Sequence, residues 1–168
     1  MADATTNKLV QRNQWASYMN TGTAEQETYS LMGDGFTQLA ESKNPKEYSR
    51  QYVNMATEAT DVVGYAPAIA YTVDVYSGDP CITKILEITD GEYVGTDAQV
   101  TIVNVNKWKG EEGKREATRR KYAIIPDGKG DGTDALVVSG NFKAVGDIEK
   151  GTFDEKTKAF TPAAAAAN

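Results

Sequence analysis

The stretch from Tyr65 to Ser77 constrains this chain more than any other. Tyr65, Ile69, Tyr71, Val73 and Val75 fall on one face of an extended backbone, and Ala66, Ala68, Ala70, Thr72 and Asp74 on the other. That is the period of two expected of a strand with one buried face. Gly78-Asp79-Pro80 follows at once. Asp79 can accept from orphan backbone N–H groups as an N-cap, and Pro80 suits the first helical position, so a helix is predicted over about residues 80–91. Cys81, Ile82, Ile85, Leu86 and Ile88 form its apolar stripe, Lys84, Glu87 and Asp90 face outwards, and Gly91 is its predicted C-terminal cap.

Elsewhere the pattern is of strands. Thr28 to Leu39 and Glu47 to Met55 read as two β-runs around the turn Ser42-Lys43-Asn44-Pro45, predicted to pair as a hairpin with neither face cleanly apolar. Such a hairpin suits a surface covered on one side by another chain. Further strands are predicted at Val100 to Val105, Tyr122 to Ile125 and Ala135 to Val145, the last two joined by the Gly/Asp turn of residues 127–132. The reading is mainly β: a β-sandwich or open barrel of six to seven strands with one α-helix covering an edge or face. Its length of 168 residues suits a single domain, placed at residues 26–152. Residues 1–25 read as an N-terminal arm whose Trp15 and Tyr18 await cover from something else. Residues 153–168 read as a small hairpin or C-terminal arm ending in five alanines and Asn168.

The chain has no histidine and one cysteine, Cys81. Ser-His-Asp and Cys-His catalysis, histidine metal sites, thiolate clusters and an intramolecular disulfide are thereby excluded. No catalytic residue, cofactor site or metal site is expected. Asp127, Asp131 and Asp134 suggest a calcium loop, but Lys129 and Val138 occupy two ligand positions of that pattern. The acids Asp147, Glu149, Asp154 and Glu155 are interleaved with lysines and read as a solvated edge. Cys81 lies on the apolar stripe and reads as a buried small hydrophobe.

The net charge of −6 argues against a dedicated nucleic-acid binder. Its distribution is uneven. Residues 107–121 hold seven basic and three acidic residues, a net of +4, whereas residues 61–106 hold one lysine and seven acids, a net of −6. Three readings compete for the basic segment: an electrostatic clasp onto the acidic segment of another copy through Arg115, Arg119 and Arg120, a nucleic-acid loop using Trp108 and Tyr122, or a merely soluble loop. No basic n-region or long apolar run marks secretion or membrane insertion.

Several blocks resemble the major tail (tail tube) proteins of tailed bacteriophages and prophages of Gram-positive bacteria. They are Met32-Gly33-Asp34-Gly35-Phe36-Thr37, Asn44 to Val53, Thr60 to Tyr71, Gly130 to Ala135 and Ser139-Gly140-Asn141-Phe142-Lys143. The resemblance spans roughly residues 25–155 and implies a non-enzymatic virion protein, a β-sandwich subunit flanked by a helix. Six subunits would form a ring, and rings would stack into a tube conducting DNA to the host without binding it specifically. It also implies synthesis in the host bacterial cytoplasm, tape-measure and tail terminator or tip proteins as partners, and acids facing the lumen, for which Asp34, Glu41 and Glu47 are the candidates. Candidate inter-subunit contacts are Trp15, Tyr18, Tyr48, Arg50, Tyr52 and the three arginines. Candidate ring-bridging pieces are the N-terminal arm, the segment Glu41 to Lys46, and the chain from Phe153 onward. The competing readings are a carbohydrate- or cell-surface-binding β-sandwich using the nine tyrosines, and a tube subunit of a contractile tail or phage-tail-like bacteriocin.

Overall fold

The computed structural model describes residues 7–164. In chain order the strands are β1 (Trp15–Asn20), β2 (Tyr29–Leu31), β3 (Phe36–Ser42), β4 (Pro45–Arg50), β5 (Ala59–Tyr65) and β6 (Ala68–Asp74). After the helix α1 (Pro80–Asp90) come β7 (Gln99–Glu111), β8 (Lys114–Lys129), β9 (Val137–Ala144), β10 (Glu149–Asp154) and β11 (Ala159–Pro162). The protein is thus mainly β with one α-helix, as the sequence predicts, but it has more strands than the six to seven expected.

The sixteen-residue β8 organises the main sheet. One side of it pairs with β7; on the other, Arg115 to Arg119 pair with β10 and Tyr122 to Lys129 pair with β9. The sheet therefore forks: β2-β1-β7 leads to β8, from which one branch continues through β10 to β11 and the other through β9 and β6 to β3. All pairings are antiparallel.

The fork encloses two apolar clusters. In the larger, Ile69, Tyr71, Val73, Val138 and Phe142 meet Met19, Val100, Ile102, Tyr122 and Ile124, with the helix residues Cys81, Ile82, Ile85 and Ile88 closing the group. In the smaller, Ala16, Tyr18, Val103, Val105 and Ala117 on the opposite face of β1, β7 and β8 pack with Tyr29 and Phe153. The Tyr18 and Phe153 ring centroids lie 4.5 Å apart, and Tyr29 meets Phe153 edge-on at 6.0 Å. Tyr71 stands opposite Gly140 on β9. A side chain at Gly140 would meet the Tyr71 hydroxyl at 2.7 Å, so the glycine makes room for the ring.

Two expectations change. Trp15 to Asn20 do not belong to an arm: they form β1, and Tyr18 is only 5% exposed, covered by its own chain. The segment from Phe153 is likewise built in, because β10 pairs with β8 and Phe153 is fully buried. The first six residues of the expected arm and the last four of the tail lie outside the described residues.

The helix begins as predicted. The Asp79 carboxylate accepts from the N–H groups of Cys81 (2.9 Å) and Ile82 (3.1 Å). Burial holds the Cys81 thiol up at about 12, with the nearby Asp79 charge acting in the same direction. The helix end differs: Gly91 keeps right-handed geometry, and the left-handed residue is Glu92 (φ 52°). The Glu92 N–H reaches the Thr89 carbonyl and the Tyr93 N–H the Ile88 carbonyl, a Schellman closure one residue later than expected. Glycine adopts this backbone without Cβ strain, so Glu92→Gly is expected to stabilise the protein by about 0.5–1 kcal/mol, read as a higher urea midpoint at unchanged m-value.

Candidate self-assembly surface

The expected hairpin between β3 and β4 does not form. β3 pairs with β6, and β4 pairs with β5 in a separate two-stranded sheet. The chain between Ser42 and Pro45 bends where Asn44 adopts φ 45°, a left-handed value asparagine tolerates, while the returning strand bends at Ala66-Pro67. The Ala66 N–H donates to the Asn44 carbonyl at 3.1 Å, and Asn44 Nδ2 donates back to the Ala66 carbonyl at 3.0 Å. The result is one long antiparallel pair, β3-β4 against β5-β6, whose outer half projects as a ribbon.

Almost every residue of that ribbon is exposed. Ser49 and Thr60 are joined by a 2.8 Å hydroxyl bond, and the Arg50 guanidinium lies 5.1 Å from the Tyr48 ring centre while its Nε donates to the Tyr48 hydroxyl. Val62, Val63 and Tyr65 are each more than half exposed, as are Tyr52 and Val53 at the tip. An isolated two-stranded ribbon is at best marginally stable in water, and both its edges are open templates for another chain. The sequence-level candidates Tyr48, Arg50 and Tyr52 all lie on this ribbon. Val62, Val63 and Tyr65 were not foreseen; the sequence pattern places Tyr65 on a buried face, yet the bend at Pro67 carries it off the core. The unbroken pair Val62-Val63 beside Asp61 was the signal available.

The branch β8-β9-β6-β3 offers a second surface. Its outward face carries Ala123 and the exposed Ile125 on β8, Ser139, Asn141 and the exposed Lys143 on β9, Ala68, Ala70 and Thr72 on β6, and Gln38, Ala40 and Ser42 on β3, brought side by side by the ladder register. It ends at β3, which is paired on one side only. Between the free side of β3 and β1 lies a cleft of about 660 Å³ lined by Trp15, Ala16, Leu31, Phe36 and Leu39. Arg12 spans it, Nη1 donating to the Trp15 carbonyl at 2.8 Å and Nη2 to the Leu39 carbonyl at 3.1 Å.

The candidate lumen acids are not brought together. Asp34 is exposed in the turn before β3, and Glu47 is exposed on β4. Glu41 shares the core side of β3 with Leu39 and is partly buried. It is ion-paired with Lys43 and accepts from Asn104 Nδ2 at 3.4 Å, Asn104 in turn accepting from Ser17 at 2.7 Å. This polar seam holds β3 against β1 and β7, so Glu41 is turned into its own chain.

The basic segment is not a loop either. Residues 107–121 form the outer end of the β7-β8 hairpin, paired strand on both sides of the two-residue turn Glu112-Gly113. Arg119 is committed within the chain: it binds Glu149 at 2.6 Å and Glu27 at 3.4 Å and lies over Phe160. Burial works against its charge, but the bonds to Glu149 and Tyr29 hold its pKa above the usual value. Arg115 donates to the Gly110 carbonyl at 2.8 Å, and the Arg120 Nε is buried with no partner among the described residues. The ion pairs of this segment use Glu155, Glu116, Glu27, Glu149 and Glu112. Among the described residues none comes from the acidic stretch 61–106.

Among the described residues no group of three or more Cys, Asp or Glu side chains is placed to hold a metal ion, and no helix is long and apolar enough to cross a membrane. What these surfaces define is a mainly β domain, a large forked antiparallel sheet with one helix, an open sheet edge and a projecting two-stranded ribbon. No family model and no curated protein matches the chain in sequence. In fold it is similar to a chain of the six-fold symmetrised cryo-EM structure of the anti-feeding prophage (AFP) baseplate, with a TM-score of 0.51 at 9% identity, over 86% of this chain and 95% of that one.

Proposed function

We infer that this protein is a non-catalytic structural subunit of a phage-tail-like particle, whose copies assemble as stacked six-membered rings into the tail tube that conducts DNA. The observation that carries this reading is the β4-β5 ribbon: its exposed Val62, Val63, Tyr65 and Tyr52 need cover that its own domain does not supply. The half-open edge of β3 and its flat face of small side chains fit the same use, since strand edges join neighbouring subunits and small side chains leave a smooth wall. The fold likeness to a chain from a six-fold prophage baseplate supports it further. A wall lined by Ser42, Ser139, Asn141 and Ala70 would meet the phosphates mainly with neutral groups, with the exposed Lys143 beside Ala68 as a cation on the same face, even without the rings of acid expected from Asp34, Glu41 and Glu47. Among the described residues Asp90 is the one acid of the stretch 61–106 held in an ion pair, which leaves the others available to a neighbour's basic hairpin. In this reading the working location is the tail of a virion or related particle, and the partners are tape-measure and tail terminator or tip proteins.

Electron microscopy and sedimentation of the concentrated protein test the proposal. Rings of six, or tubes made of them, are expected on incubation alone or with tail-tip components. A chain that stays monomeric in both conditions while binding glycans through its exposed tyrosines would establish the surface-binding alternative instead.

A further inference from the structure

The chain contains four Asp-Gly pairs, at residues 34–35, 90–91, 127–128 and 131–132, and the fold treats them differently. Asp90 is held by Lys129 Nζ at 2.9 Å from both carboxylate oxygens, and the Gly91 N–H is bonded to the Glu87 carbonyl. Gly128 lies in the ladder opposite Ser139. Gly35 is wedged in a tight turn: its carbonyl accepts from the Asp74 N–H at 2.7 Å, and a Cβ there would meet the Asp74 carbonyl at 2.5 Å. Asp131-Gly132 has none of these restraints. The loop is tied at its ends by the Gly130 N–H to Val137 and by the Val75 N–H to Leu136, but residues 131–135 between those ties are all exposed. The Gly132 N–H meets no acceptor among the described residues, and nothing lies within 4 Å of the position its Cβ would take.

We propose that Asp131 is a site of spontaneous, structure-selected isoaspartate formation. The Gly132 nitrogen attacks the protonated Asp131 side-chain carboxyl carbon, a C–N bond forms, and one water leaves with the amide proton, giving a five-membered imide. Water then adds to either carbonyl. Opening at the main-chain carbonyl breaks the original peptide bond and leaves the backbone routed through the side-chain carbon, with no net change of atoms and no oxidant or reductant. The step needs backbone freedom at one residue pair, which local structure normally denies. Its product inserts one methylene into the β8-β9 turn and moves a carboxylate onto a short branch. The reaction needs no partner chain, so it stands or fails separately from tube assembly.

Trypsin places the four pairs in four different peptides, which makes the test direct. The full chain is held folded at pH 7.4 and 37 °C, digested, and isoaspartate is quantified in each peptide; a parallel sample is held in denaturant. In the folded chain the peptide of residues 130–143 is expected to accumulate isoaspartate at least about tenfold faster than the other three. In denaturant all four are expected to react at comparable rates, and Asp131→Glu removes the folded-state signal, because the ring would need a sixth member. A folded-state rate at Asp34, Asp90 or Asp127 equal to that at Asp131 overturns the proposal, and so does a folded Asp131 as slow as those three.

Discussion

Phe153→Ala is expected to cost about 3–5 kcal/mol, the range for deleting a buried aromatic ring that its surroundings cannot fill. Phe153 is fully buried, and its ring contacts Tyr18 and Tyr29 from strands distant in sequence. The smaller apolar cluster has few members, and Phe153 is the one that joins β10 to β1 and β2. The loss compares with a total of about 5–15 kcal/mol for a domain, so the urea midpoint should fall steeply. Phe153→Leu keeps most of the volume and should cost under about 1.5 kcal/mol. If alanine cost no more than leucine, the smaller cluster would not be contributing to the fold.

Val62→Asp combined with Val63→Asp is expected to leave the isolated subunit intact and abolish its assembly. Both side chains are more than half exposed, and surface changes of this kind stay within about 0.5 kcal/mol of neutral. If a neighbouring copy covers the ribbon, each new carboxylate must be buried without a partner at a cost of several kcal/mol. With each 1.4 kcal/mol a factor of ten, the association constant should drop by at least about a thousandfold. Sedimentation should show monomers where the wild type forms rings, at unchanged thermal midpoint. Wild-type assembly by the double variant would remove the ribbon from the interface. A lowered midpoint would show that the ribbon packs on its own domain.

How much of this was legible in the sequence depended on the environment of each element. The helix was readable because Asp79, Pro80 and a one-sided apolar stripe are local signals; only its last residue was misplaced, since Gly91 advertises a left-handed cap that Glu92 takes up. The Ile69-Tyr71-Val73 face was readable because one side of β6 is buried and the other is not. β1 was unreadable for the converse reason. It lies between the two apolar clusters, with Ala16 and Tyr18 in one and Met19 in the other, so Trp15 to Asn20 shows no alternation. The basic stretch 107–121 resembled a loop because its outer half is charged on both faces; its two halves pair with each other, and the second partner of residues 115–119 is β10, whose own signal is weak. Of the candidate contacts, those on the ribbon reached an open surface. Tyr18, Glu41 and Arg119 were captured by partners far away in sequence, which no local pattern reveals.

The joint at Asn44 and Ala66 has one more consequence. Two hydrogen bonds and one left-handed residue fix the angle at which the ribbon leaves the body, and none of these groups belongs to either apolar cluster. The aim of the arm and the stability of the body are therefore under separate control. A change at residue 44 or 67 can redirect the arm toward a differently spaced neighbour while the domain that carries it folds as before, so geometry of assembly can drift in evolution without being filtered first by foldability.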